Sequence, residues 1–244
     1  MLTQQDNQIM TIMKKLFMLT AIAMASAFAG SAQTVVNNPG NTSYFGFRAS
    51  LDIPCPGDVK VGDIKSDIYK NGIGFSAGFI YNIPVVANFY IEPGVSYYYN
   101  ATGFKDVKVG DINISEGTME HASVRQMGMR VPLMFGYHFD FTPDVNLAIF
   151  TGPELDVGIS SDTYLTGKGL LSSFHRAPSN YSDRAIGFKR NRVDCSWKFG
   201  VGFNFVKNYY VGIEGAVGLA DRAKGDNISF HENRVGVTLG YNFK

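Results

Sequence analysis

Eight stretches of the chain alternate apolar and polar residues with a period of two: 45–53, 73–83, 89–99, 127–141, 145–159, 195–205, 209–219 and 235–243. In the last, Val235, Val237, Leu239, Tyr241 and Phe243 share one face, and Gly236, Thr238, Gly240 and Asn242 share the other. The sixth sets Cys195, Trp197, Phe199, Val201, Phe203 and Phe205 against Ser196, Lys198, Gly200, Gly202 and Asn204. A helix repeats every 3.6 residues and cannot produce this pattern, whereas successive side chains of a strand point to opposite faces. The pattern predicts an all-β chain of about eight antiparallel strands running up and down.

Which face points inward follows from what each face carries. The apolar faces hold no charge; Arg48, Asp52, Glu92, Arg130, Asp140, Glu154, Asp156, Lys198 and Glu214 all lie on the other side. A soluble barrel would bury the apolar face. Here, however, the polar face is crowded with glycine (Gly46, Gly74, Gly78, Gly94, Gly128, Gly136, Gly152, Gly200, Gly202, Gly212, Gly236), which suits a cramped lumen better than a solvated exterior. The connections also alternate. Residues 84–88, 142–144 and 207–208 are short, while 54–72, 100–126, 160–194 and 220–234 are long. Short turns at one end and long loops at the other are the arrangement of an outer-membrane barrel, with lipid outside and a polar interior. The expectation is a closed transmembrane β-barrel over 44–244, a monomer, with both termini in the periplasm of a Gram-negative cell. Closure is required because lipid offers no partner to an open sheet edge. Aromatic residues near strand ends, among them Phe89, Tyr90, Tyr97, Tyr98, Tyr99, Phe139, Phe141, Tyr209, Tyr210, Tyr241 and Phe243, fit interfacial girdles.

The first residues read as an address. Lys14 and Lys15 precede a mostly apolar run over 16–28, and the small residues Ala29-Gly30-Ser31-Ala32 follow. This is the pattern of a secretory signal removed after Ala32, or alternatively after Ala29, with Met13 a candidate start. Residues 33–43 then form a short N-terminal segment. Lys+Arg number 22 against 21 Asp+Glu, which lacks the basic excess of a nucleic-acid binder.

The stretch Val131-Pro132-Leu133-Met134-Phe135-Gly136-Tyr137, then Thr151-Gly152-Pro153-Glu154-Leu155, resembles the outer-membrane β-barrel domain common in Bacteroidetes, the PorT-like group of small porin-family barrels. So do Phe199-Gly200-Val201-Gly202-Phe203, Tyr210-Val211-Gly212-Ile213-Glu214 and Asn233-Arg234-Val235-Gly236-Val237. The resemblance covers about residues 40–244. It implies an outer-membrane barrel, assembled by the outer-membrane insertion machinery, and brings no catalytic residue with it. The final Lys244 departs from barrels that end on an aromatic; Phe243 is penultimate.

Four features are candidates for chemistry. Arg48, Arg130 and Lys198 could pair with Glu92, Glu154 and Glu214 inside the barrel, because buried charges need partners. The expected result is a salt-bridged plug, with a narrow ion path as the alternative. Pro132 and Pro153 fall nearly opposite each other in adjacent strands, and each removes a ladder donor. That predicts either a local bulge or a lateral seam through which a lipid-handling barrel could admit its substrate. The repeat Asp58-Val59-Lys60-Val61-Gly62-Asp63-Ile64 and Asp106-Val107-Lys108-Val109-Gly110-Asp111-Ile112 reads as a duplicated hairpin, or as strands that pair with each other above the membrane. Its loops are the expected place for an extracellular ligand. Cys55 and Cys195 both fall toward the long-loop end and are candidates for a disulfide. His121, His138, His175 and His231 show no metal spacing, and no cofactor motif appears. No G-x-S-x-G or H-E-x-x-H motif is present; Ser229, His231 and Glu232 form the one local cluster, so an enzyme is not expected.

Overall fold

The computed structural model describes residues 42–105, 108–109, 112–113, 119–142, 144–167, 174–176, 178–182, 189–225 and 227–244. The signal-like segment, Asp106 and Asp111 lie outside these residues.

Eight strands build the wall: β1 (Tyr44–Pro56), β2 (Ile73–Val86), β3 (Phe89–Gly103), β4 (Met119–Thr142), β5 (Val145–Gly167), β6 (Val193–Phe205), β7 (Tyr209–Gly218) and β8 (Glu232–Phe243). Each pairs antiparallel with its sequence neighbour. β1 also pairs with β8, from Phe45 opposite Phe243 to Pro56 opposite Glu232, so the ring closes. All eight predicted stretches are strands, and the barrel form is as expected. β4 and β5 run 24 and 23 residues, about twice the 9–11 that cross a bilayer, so this hairpin rises well beyond the lipid. Residues 119–126 and 160–167, expected to be loop, are its continuation.

The apolar face points outward. Phe79, Ile149, Phe199, Val201, Ile213 and Leu239 are exposed, whereas Asp52, Arg130, Glu154 and Asp156 are buried. Glycine lines the inside because neighbouring rings and long side chains need the space. A methyl group at Gly46 or Gly240 would come within 2.7 Å of Arg48, and one at Gly200 within 2.5 Å of the Phe150 ring. Outside, rings meet around the short-turn end in an almost continuous belt. Phe45 meets Tyr81 (4.6 Å between centroids), Phe89 meets Tyr137 (4.8 Å), Tyr137 meets Phe139 (4.7 Å), and Tyr209 meets Tyr241 (5.5 Å). The short turns use left-handed backbone at Ala87, Val206 and Lys207.

At the opposite end, part of the long loops folds over the barrel. Val59–Val61, Ile64–Ser66 and Ile228–Ser229 make a three-stranded sheet. Beneath it Val59, Tyr69, Val124, Ala223 and Phe230 form a small apolar core, with Phe230 fully buried. In both copies the flanking strands pair in the same register: Val61 pairs with Ile64, and Val109 with Ile112. Gly62 at φ 59° opens the first turn, a conformation only glycine takes without cost. The duplicated-hairpin expectation therefore matches the fold; the first copy pairs with Ile228–Ser229, and among the described residues no pairing joins the two copies.

Candidate functional site

The lumen toward the long loops is filled by one run of alternating charges. Glu214 meets Lys198 (2.8 Å), and Lys198 meets Glu154 (3.8 Å). Glu154 binds Arg234 (2.9 Å), which reaches Asp52 (3.9 Å). Asp52 takes a 2.6 Å bond from Arg130, which also faces Asp156 at 3.7 Å. Asp156 holds Arg222 (2.9 Å), Arg222 holds Glu232 (3.1 Å), and Glu232 faces Arg190 (3.8 Å). No two like charges are consecutive in this run. In a low-dielectric interior each ion is tolerable only because its neighbours oppose it. Tyr98 adds a 2.7 Å hydrogen bond to Asp156 and presents its ring to Arg130 at 4.2 Å.

Of the six expected lumenal charges, Lys198, Glu154 and Glu214 pair directly, and Arg130 joins them through Asp52 and Arg234. Arg48 and Glu92 stand apart. Arg48 lies over the Tyr210 ring at 4.1 Å, and Glu92 accepts a 3.1 Å hydrogen bond from Asn82. Among the described residues, neither ion-pairs. The sequence reading placed Arg222, Arg190 and Glu232 in loops and missed their role. Arg234 carried a signal: it shares the even-numbered, inward parity of Gly236 and Thr238. Arg222 carried none. It leaves the loop after β7 and enters the barrel mouth, where it bonds Asp156, Asp194, Glu232 and, at 3.2 Å, Gln126. Burial opposes its charge, yet Glu232, Asp156 and Asp194 hold its pKa well above the ordinary value.

Little open space remains in this region. A cavity of about 50 Å³ lies among Arg48, Glu92, Arg130, Glu154 and Lys198, and another of about 20 Å³ lies beside Arg222 and Asp194. Each holds no more than a few waters. Toward the short turns the lumen carries no such run among the described residues; Arg48 and Glu92 are set there among neutral groups. Asn242 donates to Asn204 (2.8 Å), Asn204 donates to Asn146 (2.7 Å), and Tyr90, Met134, Ala148 and Phe150 pack together.

At the prolines the ladder is broken without a bulge. Pro132 stands opposite Glu154, and Phe135 opposite Thr151, in one continuous register, so there is no bulge between them. The intervening pairs, Leu133 with Pro153 and Met134 with Gly152, are missing from the ladder. The break continues diagonally. β3 and β4 pair at Pro93–Leu133 and again at Ser96–Arg130, with nothing between. Nor is there a gap: the Leu133 carbonyl occupies the place where a side chain on Gly152 would sit, so the strands stay in contact.

The candidate disulfide is not formed, and both cysteines are free. Cys55 is on β1 and Cys195 on β6, with β7 and β8 between them. Three strand spacings amount to about 14 Å, well over the Cα separation a disulfide spans. The local cluster at Ser229 does not assemble as a triad. Its hydroxyl is 3.5 Å from His231 Nε2, too long for a firm hydrogen bond, and Glu232 is committed to Arg222 and Arg190.

The family model described as outer membrane protein beta-barrel domain matches residues 31–224. No curated protein matches the sequence. Among solved structures, OprG from Pseudomonas aeruginosa is similar at 12% identity and a TM-score of 0.45, covering 83% of this chain and 97% of its own. Ail, the attachment invasion locus protein of Yersinia pestis, in complex with the heparin analogue sucrose octasulfate, is similar at 14% identity and a TM-score of 0.36, covering 82% and 97%. Neisserial surface protein A gives 11%, 0.36, 82% and 97%.

Proposed function

The chain belongs to the outer membrane protein beta-barrel domain family, and on that premise we propose that it is a plugged, non-conducting barrel whose capped loops meet a partner outside the cell. The observation that carries this reading is the unbroken charge run from Glu214 to Arg190, beside which cavities of about 50 and 20 Å³ lie among the described residues. Arg222 ties that plug to the loop cap, so a conducting state would have to break both together. The exposed part of the cap includes Val61 and Ile64, the latter 72% exposed at the hairpin tip, where an apolar contact is available to a partner. In this reading the short turns and both termini face the periplasm, the barrel is a monomer, and it performs no reaction. The motifs around Pro132, Pro153 and Glu214 favour the PorT-like small barrels of Bacteroidetes within the family. The test is single-channel recording of the folded protein in a planar bilayer, with Arg130→Ala alongside. Silence from wild type supports the plug; stable steps that change with Arg130→Ala would replace it with a narrow porin-like channel.

A second reading rests on the broken ladder at Pro132 and Pro153: a lipid-handling barrel whose strands, in contact here, part at this weakened seam to give lateral access. Its support is the coincidence of missing pairs, an apolar cluster inside and an apolar hollow outside. Replacing both prolines by Val restores the ladder donors. Lateral passage should then stop, while surface binding by the loops should continue.

A further inference from the structure

The outer wall carries a hollow of about 710 Å³ near the short-turn end, within the roughly 300–1,000 Å³ typical of small-molecule sites. Phe89, Phe135 and Phe139 stand on one side of it, and Phe199 and Val201 on the other. Its floor is low because β4, β5 and β6 present there the backbone of Gly136, the small side chain of Thr151 and the backbone of Gly200. Everything that lines it is uncharged. Thr151, the one hydroxyl on the floor, is already satisfied: it accepts a 2.7 Å bond from Trp197 Nε1 and donates to the Lys198 carbonyl at 3.2 Å. Directly behind the floor, Tyr90 and Phe150 belong to the apolar lumenal cluster. The missing pairs between β4 and β5 adjoin the hollow at Phe135 and Thr151.

We propose that this hollow is a binding seat for one acyl chain of a membrane phospholipid. The exposed flanks of an outer-membrane barrel meet acyl chains, and an empty concavity between phenyl rings forfeits the dispersion contacts that a chain would supply. The seat lies inside the aromatic belt at the short-turn end, which in the orientation proposed above borders the periplasmic, phospholipid leaflet. With no cation in its lining, nothing in the hollow recruits the phosphates of lipid A. The proposal deepens the lipid-handling reading and rests on it only for a use of the bound chain. The seat itself can be tested without any transport.

Trp197, the single tryptophan of the chain, touches the floor through Thr151 and serves as the reporter. The folded protein is placed in phosphatidylcholine vesicles containing increasing fractions of a brominated-chain phosphatidylcholine, and Trp197 emission is followed. A seat gives quenching that rises ahead of random mixing, a preference of roughly threefold or more over bulk lipid, the worth of a few net dispersion contacts. Ile149→Phe with Val201→Phe narrows the hollow while keeping the wall apolar; in this variant, shown folded by circular dichroism, quenching should fall back to random mixing. Val237→Phe, on a wall strand away from the hollow, should leave the preference intact. Random mixing in wild type, or equal preference in the filled variant, overturns the proposal. Loss of the preference when unbrominated lipid A is added would assign the seat to the other leaflet's lipid and overturn the phospholipid assignment.

Discussion

Toward the long loops the lumen is filled with ion pairs; toward the short turns it is filled mainly with asparagines, tyrosines and a small apolar cluster, with Arg48 and Glu92 set apart among them. Both ends are tightly packed, but they are held differently. In the ionic half each group is tolerable only because an opposite charge stands next to it, so removing one member strands another in low dielectric. In the neutral half Asn242, Asn204 and Asn146 pass hydrogen bonds across the lumen, and rings such as Tyr90 sit against glycine backbone. Losing one of those contacts costs that contact alone. The two halves also differ in where their residues come from. The neutral half is built from wall strands, while the ionic half borrows Arg222 and Arg190 from the loops and is therefore coupled to the cap.

The largest effect expected is at Arg130. Its guanidinium stands between Asp52 and Asp156, and all three are almost fully buried. Arg130→Met should destabilise the barrel by about 3–5 kcal/mol, the cost of breaking a buried pair by removing one partner. Urea midpoints of refolding in detergent micelles measure it, and adding Asp52→Asn should recover part of the loss. Next in size is a charge on the lipid face. Val201→Arg should cost about 2–4 kcal/mol if it sits near the bilayer midplane, and should reduce membrane yield. Ile64→Arg, on the exposed hairpin tip outside the wall, should leave yield unchanged. Equal yields would count against the outward placement of the apolar face. Gly136→Ala comes third. Its new methyl collides with the Tyr90 ring, an overpacking cost of about 1–3 kcal/mol, and Tyr90→Leu in the same chain should relieve it.

How much of this could be read from the chain follows the same division. The wall was legible because lipid imposes a rule on every second residue, and the eight predicted stretches obey it without exception in charge. The neutral half was legible for the same reason: Gly136 and Gly200 lie on the polar face, and their spacing anticipated a crowded interior. The plug was legible only in part. Lys198, Glu154 and Glu214 could be paired because they lie inside recognisable strands. Arg222 could not, since nothing local in Ala220-Asp221-Arg222 says that its side chain enters the barrel. The prolines were noticed, but their consequence depends on Gly152 closing the space beside Leu133, a contact between strands that patterning does not specify. The disulfide failed on distance around the ring, which sequence spacing does not report.

The smallest effect, and the most informative beside Arg130, is expected at Arg48. The two arginines are alike in most respects: both point into the lumen, and both lie over a tyrosine ring, Arg130 over Tyr98 at 4.2 Å and Arg48 over Tyr210 at 4.1 Å. They differ in their anions. Arg130 has two carboxylates within 4 Å, whereas Arg48 has none among the described residues and donates to its neighbour's carbonyl, Phe47, at 3.1 Å. If the ionic half owes its stability to opposed charges, Arg48→Met forfeits only the ring contact, about 0.5–2 kcal/mol, and leaves no stranded ion behind. The same urea titration used for Arg130→Met reads both. A small loss at Arg48 beside a large one at Arg130 isolates the contribution of the carboxylates. Equal losses would mean that stacking on tyrosine, present at both ends, holds the lumen together, and that the alternating charges fill it without deciding its stability.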